Sequence, residues 1–160
     1  MKKSILLFAL SISTLISCSK SDDNPSTTPI PNIVGNWDLK AHMLGTTDFP
    51  LDYCEERDSQ FRFYSNLTVV ETTGYSNSNT GRCDNDIYQE TYSVSNNVLT
   101  IIRVLNPISY FRETRYNILE LTSAKLKLKL FYVKEKQGEN PVYEENIPEN
   151  EQITFLFDKI

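Results

Sequence analysis

The chain has 160 residues, of which 39% are hydrophobic and 23% charged, and it carries a net charge of −5 at pH 7. A length of this order gives a single domain with one modest core. The acidic balance excludes nucleic acid, since counterion release requires a Lys/Arg patch, and the one dense basic run, Lys125, Lys127 and Lys129, alternates along a strand-like segment as a wet sheet face does.

Lys2 and Lys3 precede an apolar stretch from Ile5 to Ile16, which Leu15-Ile16-Ser17-Cys18 closes. The stretch is about a dozen residues, short of the roughly 20 that a spanning helix needs. A basic start, a short apolar run and a small residue directly before a cysteine resemble the signal of a bacterial lipoprotein. The resemblance implies removal of residues 1–17 and attachment of a diacylglycerol and an acyl chain such as palmitate to Cys18, with no other cofactor. It also implies a place in the cell envelope, anchored through the lipid to the outer membrane, periplasmic or surface-exposed. An ordinary signal peptide that contains a cysteine by chance is the alternative. Removing residues 1–17 takes away Lys2 and Lys3 but no acid, which leaves 14 basic against 21 acidic residues and a net charge near −7.

Residues 18–32 read as a tether. From Ser19 to Asn32 the chain is rich in Ser, Thr, Asp and Pro and has almost nothing to bury, so it cannot offset the entropy of ordering. Pro25, Pro29 and Pro31 bias it toward extended conformations, which gives reach. Asp22 and Asp23 resemble a sorting element of some surface lipoproteins of Gram-negative bacteria.

Residues 33–160 form the folded domain, and period-two patterning dominates them. Leu126, Leu128, Leu130 and Tyr132 alternate with Lys125, Lys127, Lys129 and Phe131, as in a strand with one buried and one wet face. Eight such strands are predicted, near Ile33–Met43, Ser59–Tyr64, Leu67–Thr73, Ile87–Val94, Val98–Val104, Glu113–Leu121, Lys125–Lys134 and Gln152–Lys159. Connections as short as Ser95-Asn96-Asn97 and Thr122-Ser123-Ala124 permit only hairpins, so the sheet is antiparallel. The predicted fold class is all-β, an eight-stranded antiparallel up-and-down barrel, which abolishes edges and leaves room for one small ligand.

Tight turns alternate with long links, so the two sets fall at opposite ends of a meander. The long links, roughly Leu44–Asp58, Gly74–Asp86, Leu105–Arg112 and Glu135–Glu151, frame a mouth. With Cys18 assigned to lipid, Cys54 and Cys83 remain, and an oxidising compartment pairs such thiols. Cys54 precedes the second strand and Cys83 the fourth, both at the mouth. Strands separated by one neighbour lie about 10 Å apart, and loop segments there can meet the roughly 4.4–6.8 Å between Cα atoms that a disulfide demands. Two unpaired thiols are the alternative.

Gly35-Asn36-Trp37 opens the first strand and resembles the Gly-x-Trp signature of the lipocalins; the hairpin from Tyr92 to Ile101 resembles those of the lipocalin-like domains of bacterial lipoproteins. The resemblance spans about Ile33–Ile160. It implies that Gly35 and Trp37 mark the closed end, with Trp37 as its structural plug. The chain departs from larger lipocalins in showing no helix after the last strand, which fits a shorter or flattened barrel.

Candidate functional residues are few. Phe61, Phe63, Tyr88, Tyr92, Tyr116, Tyr132 and Phe155 are expected to face inward, either as the lining of an apolar pocket with hydroxyl handles or as plain core. His42 is the only histidine and reads as structural or solvated, because a zinc site or a histidine triad lacks its other parts. Asp84, Asn85 and Asp86, with Glu55, Glu56 and Asp58 across the bridge, lack the spacing of a calcium loop, so no metal is assigned. With five glycines a nucleotide-binding loop is excluded, and the Asn66-Leu67-Thr68 sequon carries no weight. The expected protein is a non-enzymatic, membrane-anchored barrel that binds a small apolar or amphipathic molecule in or at its mouth. The alternatives are a packed module that docks an envelope protein and a barrel hydrolase or isomerase, for which residues in named roles are missing.

Overall fold

The computed structural model describes residues 32–106 and 110–160; the signal segment, Cys18 and the tether as far as residue 31 lie outside the described residues. The strands are β1 (Gly35–Leu44), β2 (Thr47–Phe49), β3 (Gln60–Phe63), β4 (Thr68–Ser76), β5 (Cys83–Ser95), β6 (Val98–Asn106), β7 (Tyr110–Leu121), β8 (Lys125–Gln137), β9 (Tyr143–Asn146) and β10 (Ile153–Lys159). Helix α1 (Tyr53–Asp58) precedes β3, and a short 3-10 turn (Glu149–Glu151) precedes β10. Hydrogen bonding runs β10-β1-β3-β4-β5-β6-β7-β8, and β8 pairs again with β10, which closes an antiparallel barrel of eight strands. Each of these eight corresponds to a strand predicted from the alternation. β2 lies beside β1, and β9 lies beside the end of β8.

Inward side chains seal one end. Trp37, Val69, Leu99 and Leu128 have no solvent exposure, and Phe63 and Leu126 are nearly as buried. Aromatic rings interlock across β3, β5 and β10: Phe63 stands edge-on to Tyr92 with centroids 5.0 Å apart, and Phe61 lies 5.3 Å from Phe157. Such geometries satisfy the ring quadrupoles as well as filling volume. The Trp37 indole N–H donates to the Ile33 carbonyl at 2.7 Å, so the buried plug leaves no donor unpaired. Gly35 explains its place in the Gly-x-Trp pair. Its φ of +141° is outside the range of ordinary side chains, and a Cβ there would sit 2.6 Å from Cε of Lys159. The Lys159 side chain passes over that gap, placing its ammonium 5.1 Å from the Trp37 ring and 3.1 Å from the Val34 carbonyl.

The tight turns gather at this sealed end. Asn96 and Asn97 both take positive φ, 50° and 61°, as a two-residue hairpin with primed turn geometry requires. At the opposite end the long links differ from the expectation. Much of Gly74–Asp86 is strand, with Gly74 opposite Asn85, Tyr75 opposite Asp84 and Ser76 opposite Cys83. Most of these residues are exposed, so no apolar alternation marked them. The Leu44–Asp58 link holds β2 and α1. Asp52 caps α1 by accepting from the amides of Cys54 and Glu55, while the Glu55 carboxylate accepts from the Asp52 amide, a complete capping box.

Replacing Trp37 with Ala is expected to lower unfolding free energy by about 3–5 kcal/mol, the usual range for deleting a buried indole. Replacing half-exposed Leu119 with Ala should change it by no more than about 0.5 kcal/mol. Urea titration of both variants measures the contrast.

Candidate ligand cavity at the open end of the barrel

Two irregularities shape the open end. β1 stays paired with β3 only as far as Asp38 opposite Gln60. A bulge between Leu39 and Ala41 then shifts the phase of β1, so that Leu39 faces Phe157 and His42 faces Phe155. Above that point the wall between β1 and β3 opens, and α1 fills the gap. The Leu39 amide donates to the Ser59 carbonyl at 3.0 Å. The Cys54–Cys83 disulfide, with Cα atoms 5.3 Å apart, ties α1 to the first residue of β5. Gly74 of β4 lets the helix approach: a Cβ there would lie 2.7 Å from Cβ of Asp58 and would clash with the Cys54 carbonyl oxygen.

Behind α1 lies a cavity of about 190 Å³. Leu39, Phe61, Leu130, Phe155 and Phe157 form an apolar side, and Glu71, Arg112 and Tyr116 face them. His42 stands at the rim, shared with an outer groove of about 270 Å³ that Leu44, Phe49, Glu151 and Ile153 complete.

The polar side belongs to a charged cluster inside the barrel. Arg103 of β6 donates from Nε to Oε1 of Glu90 on β5 at 2.6 Å and from Nη2 to Oε2 of Glu71 on β4. The Tyr88 ring covers its guanidinium at 3.4 Å. Arg103 and Glu90 are both over nine-tenths buried. Oε2 of Glu90 and Nε of Arg112 are buried with no hydrogen-bond partner among the described residues. A space of about 20 Å³ is lined by Glu71, Glu90, Arg103, Arg112, Thr114 and Tyr116, enough for one small polar group. Burial, reinforced by the Glu71 carboxylate and only partly opposed by Arg103, pushes Glu90 up to about 7. Burial also raises the Tyr116 hydroxyl well above the usual phenol range.

The structure distributes the predicted aromatic residues over three environments. Phe61, Tyr116 and Phe155 line the cavity. Phe63 and Tyr92 belong to the sealed core, where the Tyr92 hydroxyl donates to the Tyr64 carbonyl at 2.9 Å. Tyr88, half-buried, stacks on Arg103. Tyr132 corrects the expectation that it faces inward. A bulge in β8 places Leu130 opposite Tyr116 but Tyr132 opposite Arg115, on the other face of β7 from Thr114 and Tyr116. There it lies under the Arg115 guanidinium at 4.4 Å and donates to Glu144 of β9 at 2.9 Å, outside the core cluster. Asp84 and Asp86 occupy the exposed start of β5, and Glu55 serves the α1 cap. Among the described residues no group of three or more His, Cys, Asp or Glu is placed to hold a metal ion.

The residues not anticipated are Glu71, Glu90, Arg103, Arg112 and His42. Parity carried the signal for the charged four. Glu90 lies between Tyr88 and Tyr92, Arg103 continues Leu99 and Ile101, and Arg112 continues Tyr116 and Thr114, each on the inward set of its strand. His42 had no such signal, because the bulge at Lys40 reverses the phase before it.

A carboxyl whose folded-state value lies above its unfolded value binds more protons when folded. The contribution of Glu90 to stability is therefore present below pH 4.5 and lost as pH rises to about 7. The stability of the wild type relative to Glu90→Gln is expected to fall across that interval and to level off above it. Denaturant titrations at successive pH values test this; a flat difference would contradict it.

The sequence model for a lipocalin-like domain matches residues 33–128, from ahead of β1 to the first part of β8. No curated protein matches the sequence. Among solved structures, an uncharacterized protein from Bacteroides eggerthii DSM 20697 is similar at 14% identity with a TM-score of 0.48, covering 81% of this chain and 100% of its own. The family match takes in Gly35, Trp37, six strands of the ring and the start of the seventh, and the chain belongs to the lipocalin-like domain family.

Proposed function

We propose that this protein is a lipid-anchored lipocalin-like carrier of the outer membrane that holds a small apolar or amphipathic molecule in the open end of its barrel. The observation that carries the reading is the largely apolar cavity of about 190 Å³ behind α1, with Glu71 and Arg112 on one side. Pockets for drug-sized ligands occupy about 300–1,000 Å³, so the occupant is small or leaves part of its body in the outer groove. Barrels of this family generally bind rather than catalyse, and the reading is of a carrier, not an enzyme. The anchor rests on Leu15-Ile16-Ser17-Cys18 and its basic, apolar lead. Residues 18–32 serve as tether, giving residues 33–160 reach from the lipid.

Native mass spectrometry of the protein extracted from its own cell envelope tests carriage. A retained molecule of defined mass is expected. Protein that always emerges empty and rejects apolar fluorescent probes would favour a packed interaction module docking an envelope protein instead. Cys18→Ala is expected to move the protein from the detergent phase to the soluble fraction on phase partitioning; persistence in the detergent phase would refute lipidation.

A further inference from the structure

We propose that the cavity selects its occupant by head group, taking a small monocarboxylate whose charged end sits against Arg112 and whose apolar body lies among Phe61, Leu130 and Phe155. This rests on the carrier reading above and specifies its ligand class.

The two guanidiniums of the cluster are not equivalent. Arg103 is occupied by Glu71 and Glu90 together and covered by Tyr88. Arg112 lines both the main cavity and the small polar space beside it, and its Nε–H is buried without an acceptor among the described residues. A buried N–H left unpaired carries the full penalty of its lost hydration, so an acceptor entering the cavity removes that penalty and adds a charge-assisted hydrogen bond. The second unpartnered atom is Oε2 of Glu90, a residue that lines the same small space. Burial raises Glu90 toward its neutral form at neutral pH, and a neutral carboxyl offers an O–H to the second oxygen of an incoming carboxylate.

Charge at the inner end of the cavity disfavours the opposite class. Around the small polar space two carboxylates, Glu71 and Glu90, meet two guanidiniums, Arg103 and Arg112, while Glu55, whose carboxylate accepts from the Asp52 amide, lines the main cavity at α1. At that inner space any neutralisation of Glu90 leaves positive charge in excess, which favours an anion over an ammonium group in a low-dielectric site. The body must be apolar, because the facing wall is Leu39, Phe61, Leu130, Phe155 and Phe157. Its length is limited by the about 190 Å³ of the cavity, beyond which a chain emerges past His42 into the outer groove.

The test uses the full-length chain carrying Cys18→Ala and three probes that differ only in head group: octanoate, 1-octanol and octylamine, compared by isothermal titration calorimetry at pH 7. Octanoate is expected to bind about tenfold tighter than 1-octanol, the ratio one charge-assisted hydrogen bond supplies, and octylamine weakest. Arg112→Met should remove the preference for octanoate over 1-octanol, and Arg112→Lys should retain part of it. If Arg112→Met does not fold, the wild-type ranking and the lysine variant still decide. Equal binding of octanoate and 1-octanol, or a preference that survives Arg112→Met, overturns the head-group proposal and leaves carriage standing. Failure of all three probes to bind overturns both.

Discussion

The constraint on which this structure depends is the double pairing of β10. A sheet of antiparallel hairpins has two edges and no inside; β10, hydrogen bonded to β8 on one flank and β1 on the other, removes both edges and creates an interior. It is also short, seven residues against thirteen in β8. β8 pairs with β10 only from Lys125 to Lys129, and above that its free flank is taken by β9, through Tyr132 to Glu135. The difference in length makes the two ends of the barrel unlike. The Trp37 end is closed all round and packs to zero exposure, whereas the other end widens where β8 and β10 part and where β1 leaves β3.

That asymmetry gives the interior two chemistries. Near Trp37 the inward positions are Phe, Leu, Val and Tyr, and every ring has partners. Toward the open end the same inward positions of β4, β5, β6 and β7 become Glu71, Glu90, Arg103 and Arg112. Well-packed hydrophobic residues in place of buried ionic groups are often neutral or stabilising, so such a cluster is weak evidence for a stabilising role. Here the network is also incomplete, with one acceptor and one donor unpaired among the described residues. An incomplete polar network is the least favourable arrangement for packing alone. Its position beside the cavity gives it a use that packing does not.

Much of the barrel was legible in the sequence because a half-buried strand writes its burial as alternation, and Leu126, Leu128 and Leu130 did so plainly. At the sealed end Phe63 was legible through the alternation of its strand, whereas Trp37 was legible through the resemblance of its Gly-x-Trp setting. What escaped falls into two physical kinds. Bulges at Lys40 and in β8 reverse parity without any mark in composition, so His42 turned inward and Tyr132 outward against the pattern. Short elements in polar links, β2, β9 and α1, bury too little to show a period; for α1 the trace was Asp52 followed three residues later by Glu55, a capping box in the middle of a segment read as loop. The charged interior was a different miss. Its parity was visible, and only the habit of placing charges outside concealed it.

The arrangement around α1 fixes how the cavity can be reached. A helix of six residues has little stability of its own, yet α1 is held from several directions. Asp52 caps its start and also accepts from the Ser76 hydroxyl. Cys54 is bonded to β5, Gly74 lets the Cys54 carbonyl and Asp58 rest on β4, and the Ser59 hydroxyl accepts from the Gly74 amide at 3.0 Å. Opening α1 would break these contacts together while leaving the disulfide to pull it back. The helix is thus a fixed piece of wall, not a lid. The free approach lies on its other side, where His42 separates the cavity from the groove of Leu44, Phe49 and Ile153. His42 packs there with its ring tilted against Phe49 at 6.0 Å and edge-on to Phe155 at 6.5 Å. Among the described residues no cross-link or side-chain hydrogen bond holds His42 as those around α1 hold the helix, which makes the side of β1, rather than the disulfide-bonded side, the freer approach to the cavity.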